Sequence, residues 1–421
     1  MVKWLLLLSS IHLTSSLLIE KAEQKTNADT LVFFQTVWRH GDRTPAVSLP
    51  FDNIDGWKEG LGEMTKIGLI QQYHLGKWMR MRYAEWLPEK YHRDEVYVRS
   101  SDYNRTIMSA LANMAGFYPA ADDAMIEPTV RWQPIPIHSK PQNIDKELNE
   151  VMLCPVADQA TRDISKMKEM KDLEEKYKDL LHYLREHMNG TALPVEDVWK
   201  VYDVLTCQLQ HNDTNPWPNW VNQTIYNQVV ELYNKQSRYT FSTDVLRRLR
   251  GGPLLKEILD RFVEKTDGVF GKNMRLYAYS AHDTSIYAVL SALNIFPETF
   301  PLYATVLLFE LHKVSDKYIL EIYHKNQTGI DDVYKYSIDG CENGCSPQDF
   351  QRIYQSVLPQ NWEIECGLGD PKRSEAMYIG TICFLAFTTV LFGSGLILDY
   401  ILKKRRMIDR DLRERLMNEE D

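Results

Sequence analysis

The stretch Leu31-Val32-Phe33-Phe34-Gln35-Thr36-Val37-Trp38-Arg39-His40-Gly41-Asp42-Arg43-Thr44-Pro45 begins as an apolar, β-branched and aromatic run of strand length and breaks at once into Gly and Pro. That pattern predicts a buried strand running into a turn. The side chains after it then emerge at the strand's carboxyl end, where open α/β sheets keep their chemistry. Two guanidiniums, Arg39 and Arg43, flank the imidazole of His40. They would repel a metal cation, so no metal or cofactor is expected, and they suit an anion, because the planar fork of Arg matches phosphate oxygens. A phosphate held there would face His40, a candidate nucleophile.

The same strand-turn placement recurs twice. Glu95-Val96-Tyr97-Val98 reads as a strand, Arg99-Ser100-Ser101-Asp102 as a turn, and Ile107, Leu111 and Met114 fall at helical spacing behind Asp102, a natural N-cap. Met274 to Tyr279 reads as a third strand, ending in Ser280-Ala281-His282-Asp283-Thr284. Between the first two strands, Gly60-Leu61-Gly62 precedes a helix expected from a cap near Thr65 to about Tyr83, and Ala304–Leu311 with Lys317–Tyr323 reads as an antiparallel pair. Singly, Arg99 could be a structural ion-pair partner, His282 a core histidine and Asp283 a helix N-cap. Three strand ends bearing Arg39, His40 and Arg43, then Arg99, then His282 and Asp283, instead favour one crevice. The fold class expected is α/β, an open sheet with helices on both faces.

Prolines at 128, 134 and 136 mark a crossover out of the sheet. Beyond it Ile164, Met167, Met170, Leu173, Tyr177, Leu180 and Leu184 recur every three or four residues among Lys, Asp and Glu, as in an amphipathic helix with a solvated face. A mostly helical insertion, or cap, is therefore expected over 135–245, with the core formed by 28–134 and 246–371.

Residues 1–20 read as a secretory signal peptide. Tyr378 to Leu398 is uncharged, mostly apolar and long enough to span a bilayer, and Lys403-Lys404-Arg405-Arg406 follows. These features predict a single transmembrane helix over 377–402, a cytosolic tail over 403–421 and a type I membrane protein of the secretory pathway, lysosomal or at the cell surface. A formal net charge of -9 argues against a nucleic-acid partner. Glycosylation acceptors start at Asn189, Asn212, Asn222 and Asn326, with another at Asn104 inside the Arg99 motif, where a glycan would crowd a site. Of 6 cysteines, Cys383 falls in the span, and the odd set Cys154, Cys207, Cys341, Cys345 and Cys366 cannot all pair. Cys341 and Cys345 bracket a short turn and form a candidate local bridge.

Arg39-His40-Gly41-x-Arg43-x-Pro45 with a later His282-Asp283 resembles the histidine acid phosphatase family, and most of all its animal prostatic and lysosomal members, the membrane span matching the lysosomal type. Further landmarks are Thr65-x-x-Gly68, Arg99-Ser100-x-Asp102-x-x-Arg105-Thr106, Trp132-Gln133-Pro134-Ile135-Pro136 and Gly251-Gly252, so the likeness covers roughly residues 30 to 366. The resemblance implies a phosphoglycerate-mutase-like sheet and hydrolysis of phosphate monoesters through phosphohistidine on His40. Arg39, Arg43, Arg99 and His282 would hold the phosphate, and Asp283 would serve as proton donor. It also implies a Cys154–Cys366 disulfide and a homodimer. Cys207 is left over, because the position of its family partner is Val306. The competing readings are a phosphoglycerate-mutase-like phosphotransferase and a catalytically weak ectodomain used for ligand binding or adhesion.

Overall fold

The computed structural model describes residues 19–120, 129, 132–326, 329, 331–369 and 371–417, in two units divided after Trp362. In the first unit, strands β1 (Ile19–Ala22), β2 (Leu31–Arg39), β3 (Val96–Ser100), β4 (Ile137–Ser139), β5 (Leu276–Ala281), β6 (Val306–Val314), β7 (Lys317–Lys325) and β8 (Val333–Tyr336) form one sheet. Their order is β1-β8-β7-β6-β2-β5-β3-β4. The β2, β5, β3 and β4 strands run parallel, and the other side from β6 outward is antiparallel. Helices α1 (Lys66–Arg82) and α2 (Asn104–Phe117) follow β2 and β3. After β4 come α3 (Pro155–Ile164), α4 (Lys168–Lys176), α5 (Lys178–Glu186), α6 (Val198–Gln210), α7 (Gln223–Ser237) and the single turn α8 (Asp244–Leu246). The chain then returns through α9 (Gly252–Thr266), β5 and α10 (Asp283–Ala292). Past β8 lies α11 (Pro347–Ile353).

Strand alternation divides the core into two layers. Phe33 and Val37 pack with Leu255, Ile258 and Leu259 of α9 and Val289 and Leu290 of α10. Phe34 and Trp38 pack with Leu75, Trp78 and Met79 of α1 and Ala110, Met114 and Phe117 of α2. With both faces covered, β2 reads as a nearly continuous apolar run. Each fully buried Phe contributes about 1.5–3 kcal/mol. Helix α1 starts where Thr65 caps it, its side chain accepting from Gly68 N. At Gly251 a Cβ would lie 2.1 Å from the Ala288 carbonyl oxygen, so only glycine lets the segment entering α9 lie this close to α10.

Several boundaries differ from expectation. Ile137–Ser139 pairs with β3 in parallel, so the segment expected to open the insertion supplies the sheet's edge strand first. The expected long amphipathic helix is broken into α3, α4 and α5 at Ser165–Met167 and Tyr177, although Ile164, Met170, Leu180 and Leu184 still face inward. Asp102 is not the cap of α2: Tyr103 occupies that position with no side-chain cap bond. Ile19 and Glu20, the last two residues of the expected signal peptide, pair with β8. The rest of that expected peptide lies outside the described residues.

The second unit carries α13 (Pro371–Met417), preceded by a short turn of helix, α12 (Trp362–Glu365), at the boundary. Within α13, Tyr378–Arg410 has the length and apolar composition of a membrane span. The expected span and the start of the expected tail are one continuous helix.

Candidate active site

The turn after β2 is pinned by close backbone packing. A Cβ on Gly41 would sit 2.3 Å from the Gly68 carbonyl oxygen, and one on Gly68 2.2 Å from that of Asp42, so the turn lies directly on the first turn of α1. Gln72 Nε2 donates to the Arg39 carbonyl at 2.7 Å, and His40 N donates to the Ala281 carbonyl at 3.0 Å, tying the ends of β2 and β5 together.

At those strand ends the structure brings together Arg39, His40, Arg43, His282 and Asp283. His40 is 2% exposed and its ring centre lies 5.6 Å from that of His282. His40 Nδ1 is 2.8 Å from the Gly41 carbonyl. A carbonyl only accepts, so Nδ1 carries the proton and Nε2 keeps its lone pair. Burial, then the charges of Arg105, Arg39 and Arg43 and the nearby His282, hold the imidazole well below its ordinary pKa, which favours the neutral form. Burial and Arg105 likewise push His282 down, to about 3. Arg39 is ion-paired to Asp283 (Nη2 to Oδ2, 2.8 Å), donates to the Pro301 carbonyl at 2.7 Å and lies 4.2 Å above the Tyr303 ring. Burial raises the Asp283 carboxyl, but Arg39, Arg43 and His282 outweigh it and leave the group below the usual carboxylate range.

Arg99 is not part of this cluster. It lies inside β3 rather than after it, paired with Tyr279 across the sheet, and alternation turns its side chain to the α9 face. There it is 3% exposed and bound to Asp145, to Glu147 at 3.0 Å and to Glu257 at 2.9 Å. Its guanidinium is committed to three carboxylates. Burial raises Asp145 to about 6. The arginine that does reach the site is Arg105, in the first turn of α2, with Nη2 3.5 Å from His282 Nδ1 and its guanidinium 4.5 Å from the Tyr103 ring centre. The signal for it was the second arginine of the Arg99–Thr106 motif. Buried Nε atoms of Arg39, Arg43, Arg99 and Arg105 have no hydrogen-bond partner among the described residues.

The two arginines therefore separate by experiment. Arg105→Ala is expected to cut kcat by about 10²–10³-fold, as loss of one preorganised donor does, with the melting temperature little changed. Arg99→Leu leaves Asp145, Glu147 and Glu257 without their shared cation and is expected to cost about 3–5 kcal/mol of stability, while kcat of the folded protein holds. Steady-state kinetics and thermal melts check both.

Two further residues come from the insertion. Asp203 of α6 grips Arg43 in a bidentate pair (3.2 and 2.8 Å) and accepts from Ala46 N at 2.7 Å. His211, at the end of α6, places Nε2 2.7 Å from Oδ2 of the fully buried Asp42, which Thr65 Oγ1 also contacts at 2.5 Å. The hydrogen bond to Asp42 raises the His211 pKa against partial burial, with Asp42 and Glu59 adding favourable charge. A histidine whose folded pKa exceeds its unfolded value adds stability below the unfolded pKa and loses it as pH rises through the folded one. His211→Ala should therefore lower the melting temperature more at pH 5 than at pH 8. Equal drops would contradict the assigned pair.

Cys341 and Cys345 form a disulfide, with sulfurs 2.12 Å apart. Cys154 takes part in a disulfide, and so does Cys366. Cys207 is free and buried, its sulfur 3.6 Å from the Tyr303 hydroxyl. Asn189, Asn212 and Asn222 are exposed, and Asn326 is half-buried. Asn104 is exposed and donates to Glu63 Oε1 at 3.1 Å.

A neutral, lone-pair-bearing imidazole among three guanidiniums and beside a carboxylate is equipped to attack a phosphoryl group and to manage one proton. Residues 30–325 match the profile of the histidine phosphatase superfamily (branch 2), and the chain belongs to that family. It is 43% identical to putative acid phosphatase 5 of Caenorhabditis elegans, over 92% of this chain and 90% of that one. It is 33% identical to human lysosomal acid phosphatase (87% of this chain, 89% of that protein) and 33% identical to human prostatic acid phosphatase (80% and 88%). Among solved structures, the apo phytase of Hafnia alvei superposes with a TM-score of 0.63, covering 80% of this chain and 98% of that one at 17% identity, a likeness of fold.

Proposed function

We propose that the protein is an acid phosphatase that hydrolyses phosphate monoesters through a phosphohistidine on His40. The observation that carries this is the His40 ring, with its proton held on Nδ1 and Nε2 left bare beside Arg39, Arg43 and Arg105. Nε2 attacks phosphorus, the ester P–O bond breaks, and the leaving oxygen takes a proton from Asp283. Water then attacks the phosphohistidine, gives its proton to Asp283 and releases phosphate. Arg39, Arg43, Arg105 and His282 hold the oxygens and offset their charge in both transition states. In the free enzyme Asp283 is ionised against Arg39. A bound phosphate competes for that guanidinium and brings negative charge, which raises the Asp283 pKa and lets an acidic medium supply the proton.

Membership of the family, the lysosomal relatives and the span in α13 support a membrane-anchored protein of the secretory pathway with its first unit outside the cytosol, lysosomal or at the cell surface. A homodimer and glycosylation at Asn189, Asn212, Asn222 and Asn326 follow from the same reading. The assembled set of nucleophile, cations and carboxylate weighs against a catalytically weak binding ectodomain. The test is turnover of an aryl phosphate at acidic pH by detergent-solubilised protein with a chelator present: hydrolysis is expected, and its absence overturns the proposal.

A further inference from the structure

Glu150 lies between β4 and α3, is 7% exposed and takes no part in the steps above. Its two carboxylate oxygens each receive one hydroxyl: Thr284 Oγ1 donates to Oε1, and Ser285 Oγ donates to Oε2 at 3.0 Å. These are the two residues that follow Asp283. The Ser285 hydroxyl oxygen also accepts from the backbone N–H of His282 at 3.3 Å. Thr284 N donates to Asp283 Oδ1 at 2.8 Å, so one Asp283 oxygen is fixed from behind and the other by Arg39.

A buried carboxylate is costly where an apolar side chain would fill the same space. Arg250, whose charge Glu150 favours, is itself bound to Asp158 and to the Met152 carbonyl. Burial, with the neighbouring Asp283 charge adding, raises the Glu150 pKa, and the two hydroxyls oppose that rise. A group kept buried at that cost, bonded to its own backbone and, through both oxygens, to the turn that carries the proton donor, points to geometry rather than to general stability.

We infer that Glu150 is a positioning residue for proton transfer: by holding Thr284 and Ser285 it fixes the first turn of α10, and with it the direction in which Asp283 faces the leaving group. This rests on Asp283 being the acid. A small displacement of a reacting group costs up to about 10²-fold, and the loss should be largest where protonation of the leaving group limits the rate.

The test uses the full chain with Glu150→Gln and Thr284→Val, singly and together, on an aryl phosphate with a good leaving group and on an alkyl phosphate with a poor one. Each single variant is expected to lose about tenfold or more in kcat on the alkyl phosphate and little on the aryl one. The double variant should be no worse than the poorer single one, because both break the same contact. Equal losses on both substrates, or a lower melting temperature with both kcat values intact, would overturn the positioning role. Asp283→Asn run alongside separates the two failures: if it lacks the leaving-group split, the acid assignment fails and the inference with it. If it shows the split and Glu150→Gln does not, the positioning role alone is wrong. Should Glu150→Gln not fold, Thr284→Val, which removes one of the two hydroxyls, carries the test.

Discussion

His40→Ala is expected to lower kcat by on the order of 10⁴-fold or more, the size of effect seen when a covalent nucleophile is removed. The variant keeps Arg39, Arg43, Arg105 and His282, so competitive inhibition by inorganic phosphate should survive. That separates a chemical loss from a collapsed site. Removing this imidazole should also change acid stability with a definite sign. Its folded pKa lies below the unfolded one, so wild-type stability falls as pH drops through the unfolded value and the unfolded chain takes up a proton. The alanine variant lacks that loss and should gain on wild type below about pH 6.5, as thermal melts at two pH values would show. A variant that retains a tenth or more of wild-type turnover would remove His40 from the chemistry.

Asp283→Asn is the second large effect. Loss of a general acid costs about 10²–10⁴-fold, and here it should fall on alkyl phosphates, whose leaving oxygen needs a proton, far more than on activated aryl phosphates. The geometry adds a second signature. Asp283 competes with substrate for Arg39 through the 2.8 Å ion pair, so neutralising it frees a cation for phosphate. KM should therefore fall for both substrates while kcat falls for one much more than the other. A uniform drop in kcat with KM unchanged would contradict both roles.

Much of this was legible in the chain because it depends on local pattern. The run Leu31–Trp38 is a strand because β-branched and aromatic side chains fit a sheet covered on both faces, and Thr65 caps α1 because its hydroxyl accepts from Gly68 N. Arg39, His40, Arg43, His282 and Asp283 converge because β2 and β5 are parallel neighbours that end together. Arg99 shows where such reading fails. The strand runs on through Ser100, and within a strand the side chain's face is set by register, which placed Arg99 against Glu257 of α9 instead of in the crevice. Arg105 reaches the crevice from a helix. Asp203, His211 and Glu150 could not be assigned from spacing, since each meets the site from a segment distant in sequence. Only the folded insertion and its approach to the sheet bring them there.

The central claim is a covalent bond between His40 and phosphorus, and the direct measurement is rapid acid- and alkali-quench trapping during turnover, followed by peptide mapping. The account predicts a phosphoenzyme that survives alkali, is lost in acid, maps to His40 and is absent from His40→Ala. An adduct stable to acid, one mapping to another residue, or none under conditions where turnover is rapid and dephosphorylation is slowed, would contradict it.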